Sequence, residues 1–453
     1  MKIIVVGCGK IGRVVVASLV NEKHNVIVID NNPKVVSAMN NEYDVIGICG
    51  NATNHEKLLE AGAKNADLFI AMTSSDEINM LSCFTAKKLG AKHTIARIRA
   101  TENNDGTNLE FMKRQLNLSA AVNPELLTAM LIFNIIKLPS ASMVQTFSYH
   151  RFEMIELLLK ENSPLDGVSL MDLRRHSKEK FLVCTVIRGD QVYIPQGDFR
   201  LKSGDKIGVI ASGKETQKIL KTMGIAHKHI RDALIIGGSE TSVYLAKLLL
   251  DSHISVKIIE IDSQRCEQLC DELPGATIIN GNGMTQDILL EEGINTTDAF
   301  VAITGRDEEN ILASYYATKQ NSPKVITKVN SEERSYIAEK MGLESIITPS
   351  KITADAIVRY ARALSNSSGG QVETLYRLGS GAEVIEFTVL QDFEYTNIPL
   401  KDLKLVPGIL LAGIVREREA IIPSGNDVIK SGDKVIVVSA GNPLYDLGSI
   451  VEK

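Results

Sequence analysis

The sequence predicts an α/β protein in which two parallel-sheet domains are each followed by a small α+β domain. Three observations carry this expectation. The chain has 453 residues and 44% hydrophobic content, too long for a single core and enough for about three or four domains of ordinary size. It also repeats itself. MKIIVVGCGKIGRVVVASLV opens one half and DALIIGGSETSVYLAKLLL the other; Gly7 matches Gly237, Gly50 matches Gly281, Ile194-Pro195 matches Ile422-Pro423, and Gly204-Asp205 matches Gly432-Asp433. Offsets of 228 to 231 residues are far longer than solenoid units and mean duplicated domains. Within each half, strand and helix patterns alternate first, and short strands with tight turns follow.

In the first half, Ile3 to Val6 is a continuous β-branched run suited to a strand buried on both faces. A helix pattern runs from Ile11 to Val20, a second strand from Val26 to Ile29, and a later one from Leu68 to Met72. Strands alternating with helices of this length predict a parallel sheet with right-handed crossovers. The apolar stretch Leu126 to Leu138 contains Asn134 and Lys137. It falls short of the roughly 20 apolar residues of a membrane span, so Glu125–Lys137 reads as a packed crossover arm or an ordinary core helix. The next part reads as LVCTVI, RGDQVYIP and SGDKIGVIA, and its second copy as ILLAGIV, REREAIIP and SGDKVIVVS. Ser-Gly and Gly-Asp pairs punctuate these as hairpins. Linkers are expected at Lys137–Ser142, Ile225–Arg231 and Ser365–Gly370. The expected boundaries are therefore 1–137, 143–226, 230–363 and 371–453.

Composition narrows the function classes. The net charge is −5 with no basic block, which argues against a nucleic-acid partner. The first residues enter a strand directly and lack the pattern of a secretory signal, so a cytoplasmic location is expected. Six scattered cysteines give no disulfide framework. Cys266 and Cys270 lie one helical turn apart, but no second Cys or His pair completes a tetrahedral metal set.

Gly7-Cys8-Gly9-Lys10-Ile11-Gly12 is G-x-G-x-x-G set directly between a strand and a helix. Gly7 permits the tight turn, Gly9 lets a pyrophosphate approach the backbone, and Gly12 lets helix and strand pack closely. The helix N-terminus offers free N–H groups and partial positive charge to phosphates. Asp30 ends the second strand, where a ribose-binding carboxylate belongs; it favours NAD or an adenosine nucleotide over NADP. Together these predict a Rossmann-type nucleotide site. Asn51 and Ala52 are placed to flank an adenine. Thr73 and Ser74 are placed either to cover phosphates or to cap the helix starting near Asp76. Arg97 is placed to contact phosphate or to bridge subunits.

The order GCGKIG, Asp30, GNAT, LLEAGAKNADLFIAMTSSDEINML and IARIR closely resembles the nucleotide-binding domain of the regulator-of-potassium-conductance (RCK, or KTN) family. NIPLKDL, GILLAGIVRE and IIPSGNDVIKSGDKVIVVS resemble that family's TrkA-C (RCK-C) domain. The resemblance covers nearly the whole chain and implies a tandem member serving the bacterial Trk potassium-uptake system. It further implies NAD(H), and in some members ATP or ADP, in the Rossmann crevice. It implies assembly into a homodimer or homotetramer ring. It also implies docking, as a peripheral protein, on the inner face of the membrane against a potassium-translocating subunit.

The sequence also departs from the family pattern. Asn51 stands where many members carry Asp. In the second copy the turn reads Gly237-Gly238-Ser239-Glu240-Thr241-Ser242, so Ser239 and Ser242 replace two glycines and Glu240 brings negative charge. Glu260 keeps the acid position, and Asn282 lies in the later loop GNGM. A second nucleotide site there is expected to be weaker, differently selective or purely structural.

No dehydrogenase proton-transfer group is evident. His176 follows Leu173-Arg174-Arg175 with no partner set by a motif, and Ser75-Asp76 lacks a nucleophile elbow. The expectation is a regulator, not an enzyme. A stand-alone NAD-dependent oxidoreductase and a nucleotide-independent scaffold are the alternatives.

Overall fold

The computed structural model describes residues 1–99, 106–148, 150–161, 163–225, 229–320, 322–365, 369–378, 381–441 and 443–452. Residues 226–228 and 366–368, within the expected linkers Ile225–Arg231 and Ser365–Gly370, lie outside the described residues. The described chain forms two units, each discontinuous in sequence: 1–132 with 232–361, and 133–231 with 362–453.

The first unit holds both parallel sheets. Copy one runs β1 (Lys2–Val6), α1 (Lys10–Asn21), β2 (Asn25–Asp30), α2 (Pro33–Glu42), β3 (Ile46–Cys49), α3 (His55–Glu60), β4 (Leu68–Ala71), α4 (Asp76–Leu89), β5 (His93–Arg97), α5 (Gly106–Leu116), β6 (Ala120–Val122) and α6 (Pro124–Lys137). Its sheet order is β3-β2-β1-β4-β5-β6. All its strand pairs are parallel, and the order reverses between β1 and β4. That reversal opens a crevice at the carboxyl ends of the strands, where open α/β sheets bind ligands. Ile4, Val6, Ile29, Phe69 and Ala71 of the central strands and Cys83 and Ala86 of α4 are all buried in one core cluster. The unbroken apolar runs of the sequence therefore sit where helices cover both faces.

The second unit holds the first small domain. It contains β7 (Met143–Phe147), β8 (Phe152–Leu158), α7 (Leu170–His176), β9 (Phe181–Arg188), β10 (Gln191–Tyr193), β11 (Lys206–Ser212) and α8 (Thr216–Thr222). Its antiparallel order is β10-β9-β11-β8-β7.

The second parallel-sheet copy repeats the first. It comprises β12 (Asp232–Ile236), α9 (Glu240–Asp251), β13 (Ser255–Glu260), α10 (Ser263–Glu272), β14 (Thr277–Asn280), α11 (Gln286–Glu291), β15 (Ala299–Ala302), α12 (Asp307–Lys319), β16 (Lys324–Lys328), α13 (Glu332–Lys340), β17 (Ser345–Ile347) and α14 (Pro349–Ser365). The order β14-β13-β12-β15-β16-β17 is the same as in copy one. Tyr244 of α9 ties the copies together: its hydroxyl donates to the Arg99 carbonyl and accepts from Asn123 Nδ2, each at 3.0 Å.

The second small domain comprises β18 (Gly370–Leu378), β19 (Ala382–Val389), β20 (Ile409–Arg416), β21 (Glu419–Ile421) and β22 (Lys434–Ala440), in the order β18-β19-β22-β20-β21. The duplicated Gly-Asp turns have a tertiary reason. Asp205 and Asp433 are buried and accept two bonds each from Arg188 and Arg416, at 2.7–2.8 Å and 2.7–2.9 Å. The two small domains share one core, in which Phe147, Phe152, Met154 and Ile210 meet Leu378, Val384, Ile436 and Val438. Among the described residues, no helix is long and apolar enough to cross a membrane.

Candidate functional site

The first glycine turn does what its spacing requires. Gly7 has φ +82°, and a Cβ there would lie 2.8 Å from the Thr73 nitrogen. A Cβ on Gly12 would stand 1.9 Å from the Gly7 carbonyl oxygen, so only glycine lets α1 seat against β1 this closely. Gly9 differs from both. Its φ of −66° suits any L residue, and nothing lies within 4 Å of its Cβ position. The space above Gly9 is open cleft at the amino end of α1.

Asp30 faces this turn from the end of β2. One oxygen accepts from the Cys8 nitrogen at 2.8 Å and the other from Asn32 at 2.9 Å. The carboxylate thus braces the turn while lining the cleft. Cys8 itself is buried beneath, and burial together with Asp30 pushes its thiol up to about 12. It therefore stays a neutral thiol at physiological pH.

The cleft encloses about 1080 Å³. Of the residues expected from copy one, Gly7, Gly9, Lys10, Ile11, Asp30, Asn51, Ala52, Thr73, Ser74 and Arg97 line it; Cys8 and Gly12 lie under it. Asn51 caps its own loop, its Oδ1 accepting from the Thr53 hydroxyl and the Thr53 nitrogen, both at 3.0 Å. The cap of α4 is Ser75, which accepts from Ile78, and not Thr73 or Ser74. Thr73 points back instead, bonding Asn79 Oδ1 through its nitrogen at 2.8 Å and its hydroxyl at 2.7 Å. Asn79 is fully buried and also donates to the carbonyls of Thr73 and Arg97, so one side chain fixes the ends of β4 and β5. Asn310 repeats these four bonds in copy two, to Thr304 and Lys328.

The second turn is built differently. Gly237 keeps a positive φ of +100°. Ser242 stands where Gly12 would be and donates its hydroxyl to the Gly237 carbonyl. Glu260 accepts from the Gly238 nitrogen at 2.5 Å and from Asp262 at 2.9 Å, as Asp30 does in copy one. The Arg265 guanidinium lies against this turn, donating to the Gly238 carbonyl at 2.7 Å and pairing with Glu240 and Glu272 at 3.0 Å. Asn282 closes its loop by accepting from Met284. Ser239, Glu240 and Thr241 form a wall of the copy-one cleft.

Lys328, Asn330 and Pro349 of copy two line the same cleft, as do Asp76, Arg99, Glu125 and Thr128 of copy one. Arg97 pairs with Glu125 at 2.7 Å, and Arg99 with Asp76. Lys328 donates to the Ile303 carbonyl at 3.0 Å. The segment Thr73–Asn79 was expected along the crevice, whereas Arg99, Lys328 and Asn330 were not singled out from the sequence. The only available signal was the repeat itself, which sets Lys328 opposite Arg97 and Asn310 opposite Asn79.

Family comparison agrees with this architecture. The TrkA-N domain model matches residues 3–124 and 233–349, and the TrkA-C domain model matches 154–224 and 384–447. The chain belongs to the TrkA family. A Trk system potassium uptake protein TrkA homolog from Archaeoglobus fulgidus is 32% identical over 451 residues, covering 99% of this chain and all of the relative. The Trk system potassium uptake protein TrkA of Vibrio alginolyticus is 28% identical, covering 96% and 95%. Among solved structures, the crystal structure of the GsuK RCK domain aligns with TM-score 0.64 at 15% identity, over 97% of this chain and 92% of that one. The GsuK channel bound to NAD aligns at 0.63 and 15% identity, over 97% and 77%, and GsuK bound to ADP at 0.50 and 15%, over 79% and 68%. These likenesses show the shared fold. Membership in the TrkA family sets the chain among potassium-uptake proteins and agrees with the expectation that it is not an enzyme.

Proposed function

We propose that this chain is the peripheral regulatory subunit of a Trk-type potassium-uptake system and that it binds NAD(H), ADP or ATP in the copy-one cleft. The observation that carries this reading is the open position above Gly9, at the amino end of α1 and facing Asp30. A diphosphate approaching there meets backbone N–H groups and the positive end of a helix dipole. Asp30 keeps lone pairs for a ribose diol beyond its two backbone bonds. NAD- and ADP-bound relatives of the same fold support that ligand class. The bound nucleotide supplies no reaction here. It acts as an effector, shifting a conformational equilibrium by its differential affinity for two states. The partner is the membrane-embedded potassium-translocating subunit on the cytoplasmic face, with this chain assembled as a homodimer or homotetramer ring. Arg265, bonded across the second turn, supports a structural role for copy two's own glycine motif.

Calorimetric titration of NAD, NADH, ADP and ATP tests this directly. Gly9→Ala should fold with unchanged melting temperature, because its Cβ enters empty space, yet lose at least about tenfold in affinity. Asp30→Ala should lose affinity and some stability, since it also releases the Cys8 nitrogen. Absence of binding for all four nucleotides in the native protein would overturn the reading, as would undiminished binding in both variants. Co-purification with the membrane subunit, with and without nucleotide, tests the partner.

A further inference from the structure

The chain crosses between its two units twice inside a helix, at 132–133 in α6 and at 361–362 in α14. The two crossings are built differently. Arg362 lies in the last turn of α14 and is 2% exposed. Its guanidinium meets Glu383 of β19 through two bonds, Nη1 to Oε2 at 2.8 Å and Nη2 to Oε1 at 2.9 Å. Nη1 also donates to the Leu444 carbonyl at 3.1 Å, and the ring centre of Tyr445 lies 5.0 Å from the guanidinium carbon. Glu383 is itself buried and accepts a further bond from Arg377 Nε at 3.3 Å.

The first copy has the same two positions without the pair. Lys137 stands thirteen residues past Pro124, as Arg362 stands thirteen past Pro349. Glu153 is second in β8, as Glu383 is second in β19. Yet Glu153 accepts from the Thr216 hydroxyl at 2.8 Å. Lys137 is exposed, its ammonium 5.2 Å from the ring centre of Phe133 one turn earlier in its own helix, and among the described residues it forms no ion pair. What is buried at that end of α6 is apolar: Ile132, Ile135, Ile136 and Leu138. Apolar contact has no preferred direction, so packed helices can slide by about 1–2 Å. A buried ion pair joined by two bonds is directional, and separating it strands a charge away from water.

We propose that Arg362 and Glu383 clamp α14 to its small domain, and that the end of α6 is the arm that shifts when the cleft fills. The second half of this rests on the nucleotide-binding reading above. α6 is the better placed helix to receive a signal. Pro124, Glu125 and Thr128 of its first turns line the cleft, whereas among the described residues of α14 only Pro349 does. A displacement of the first turn is carried along the hydrogen-bonded helix to its far end, about 20 Å away. In copy one it meets apolar contacts that can slide. In copy two the same displacement is resisted by the clamp. The duplicated chain thus has one moving arm and one fixed arm.

Hydrogen–deuterium exchange of the full chain tests both halves. Without ligand, Glu383→Gln should speed exchange in the last turns of α14 (359–365) at least about tenfold, a loss of about 1.4 kcal/mol in local protection. Glu153→Gln, the matched change in copy one, should leave the end of α6 (133–137) within about twofold of native. An α14 no faster in Glu383→Gln, or an α6 equally loosened by Glu153→Gln, would overturn the clamp. Should Glu383→Gln fail to fold, Arg362→Lys keeps the charge but cannot make two parallel bonds, and it must loosen α14 in the same way. With saturating NADH or ADP, exchange across 133–147 should change at least about threefold in native protein while 359–365 stays within about twofold; in Glu383→Gln both segments should respond. Equal responses at the two arms of native protein, a response at α14 alone, or none at α6 with ligand bound would overturn the moving arm. If calorimetry finds no nucleotide bound, the nucleotide reading falls instead, and the ligand-free comparison still decides the clamp.

Discussion

Burial pushes the Lys328 ammonium down from its ordinary value to about 8, with Lys10 adding to the shift and Asp307 and Glu125 opposing it. In the unfolded chain the same group holds its proton until about 10.5. Between these values the unfolded state binds more protons, so stability from this group is complete above about 10.5 and is lost as pH falls through about 8. The difference is at most about 3 kcal/mol. We predict that Lys328→Met, compared with native protein by denaturant unfolding, removes part of the rise in stability between pH 8 and 10. Parallel curves for the two proteins would contradict it. The same titration bears on binding: protonated Lys328 is the form that attracts phosphate, so nucleotide affinity should weaken above about pH 8. The position of this lysine comes from Asn310, which bonds its backbone carbonyl, as Asn79 bonds that of Arg97. Two buried amides thus aim two cations at one cleft.

At the scale of an element, the seating of α1 on β1 and of α9 on β12 shows the same packing problem solved twice. In copy one the third glycine of the motif removes every atom that would strike the Gly7 carbonyl. In copy two Ser242 places a hydroxyl there and converts the close approach into a hydrogen bond. The close approach is cleared in one case by the missing side chain and bridged in the other by a hydroxyl. Gly12→Ala should therefore shift α1 outward and destabilise the protein by roughly 1–3 kcal/mol, the usual range for overpacking. The readout is the urea midpoint. Gly9→Ala, three residues earlier, should leave that midpoint unmoved. Equal effects of the two substitutions would mean that the turn is not seated as described. The small-domain hairpins show a related economy: the turn that carries Asp205 or Asp433 exists to present a buried carboxylate to an arginine on the neighbouring strand.

At the scale of the whole molecule, each kind of domain pairs with its own copy. The parallel-sheet copies share the cleft and the Asn123–Tyr244–Arg99 contacts, and the small domains share one apolar core. An internal duplication of this kind has the contact logic of an isologous dimer, in which one surface serves both partners. A fragment ending at Gly224 would expose Phe147, Phe152, Met154 and Ile210 with no second copy to cover them. We predict that this fragment self-associates as a dimer, each copy standing in for the missing half, as measured by light scattering. A stable monomer of the fragment at micromolar concentration would contradict it.

The amino-acid order by itself determined what depends on neighbours in the chain: the unbroken apolar strands, the glycine turn with its positive φ at Gly7, the acid closing β2, the hairpin turns and the duplication. Backbone geometry and hydrophobic period act over a few residues, so their signals survive in the linear string. The cap of α4 was misplaced by one or two positions because Thr73, Ser74 and Ser75 are chemically alike and only the direction of the chain selects among them. Only the tertiary structure decided that Ser239, Glu240 and Thr241 wall the first cleft and that Lys328 arrives there with Arg97. Those relations join residues more than 100 positions apart. They arise from the packing of one copy on the other, which no local propensity encodes.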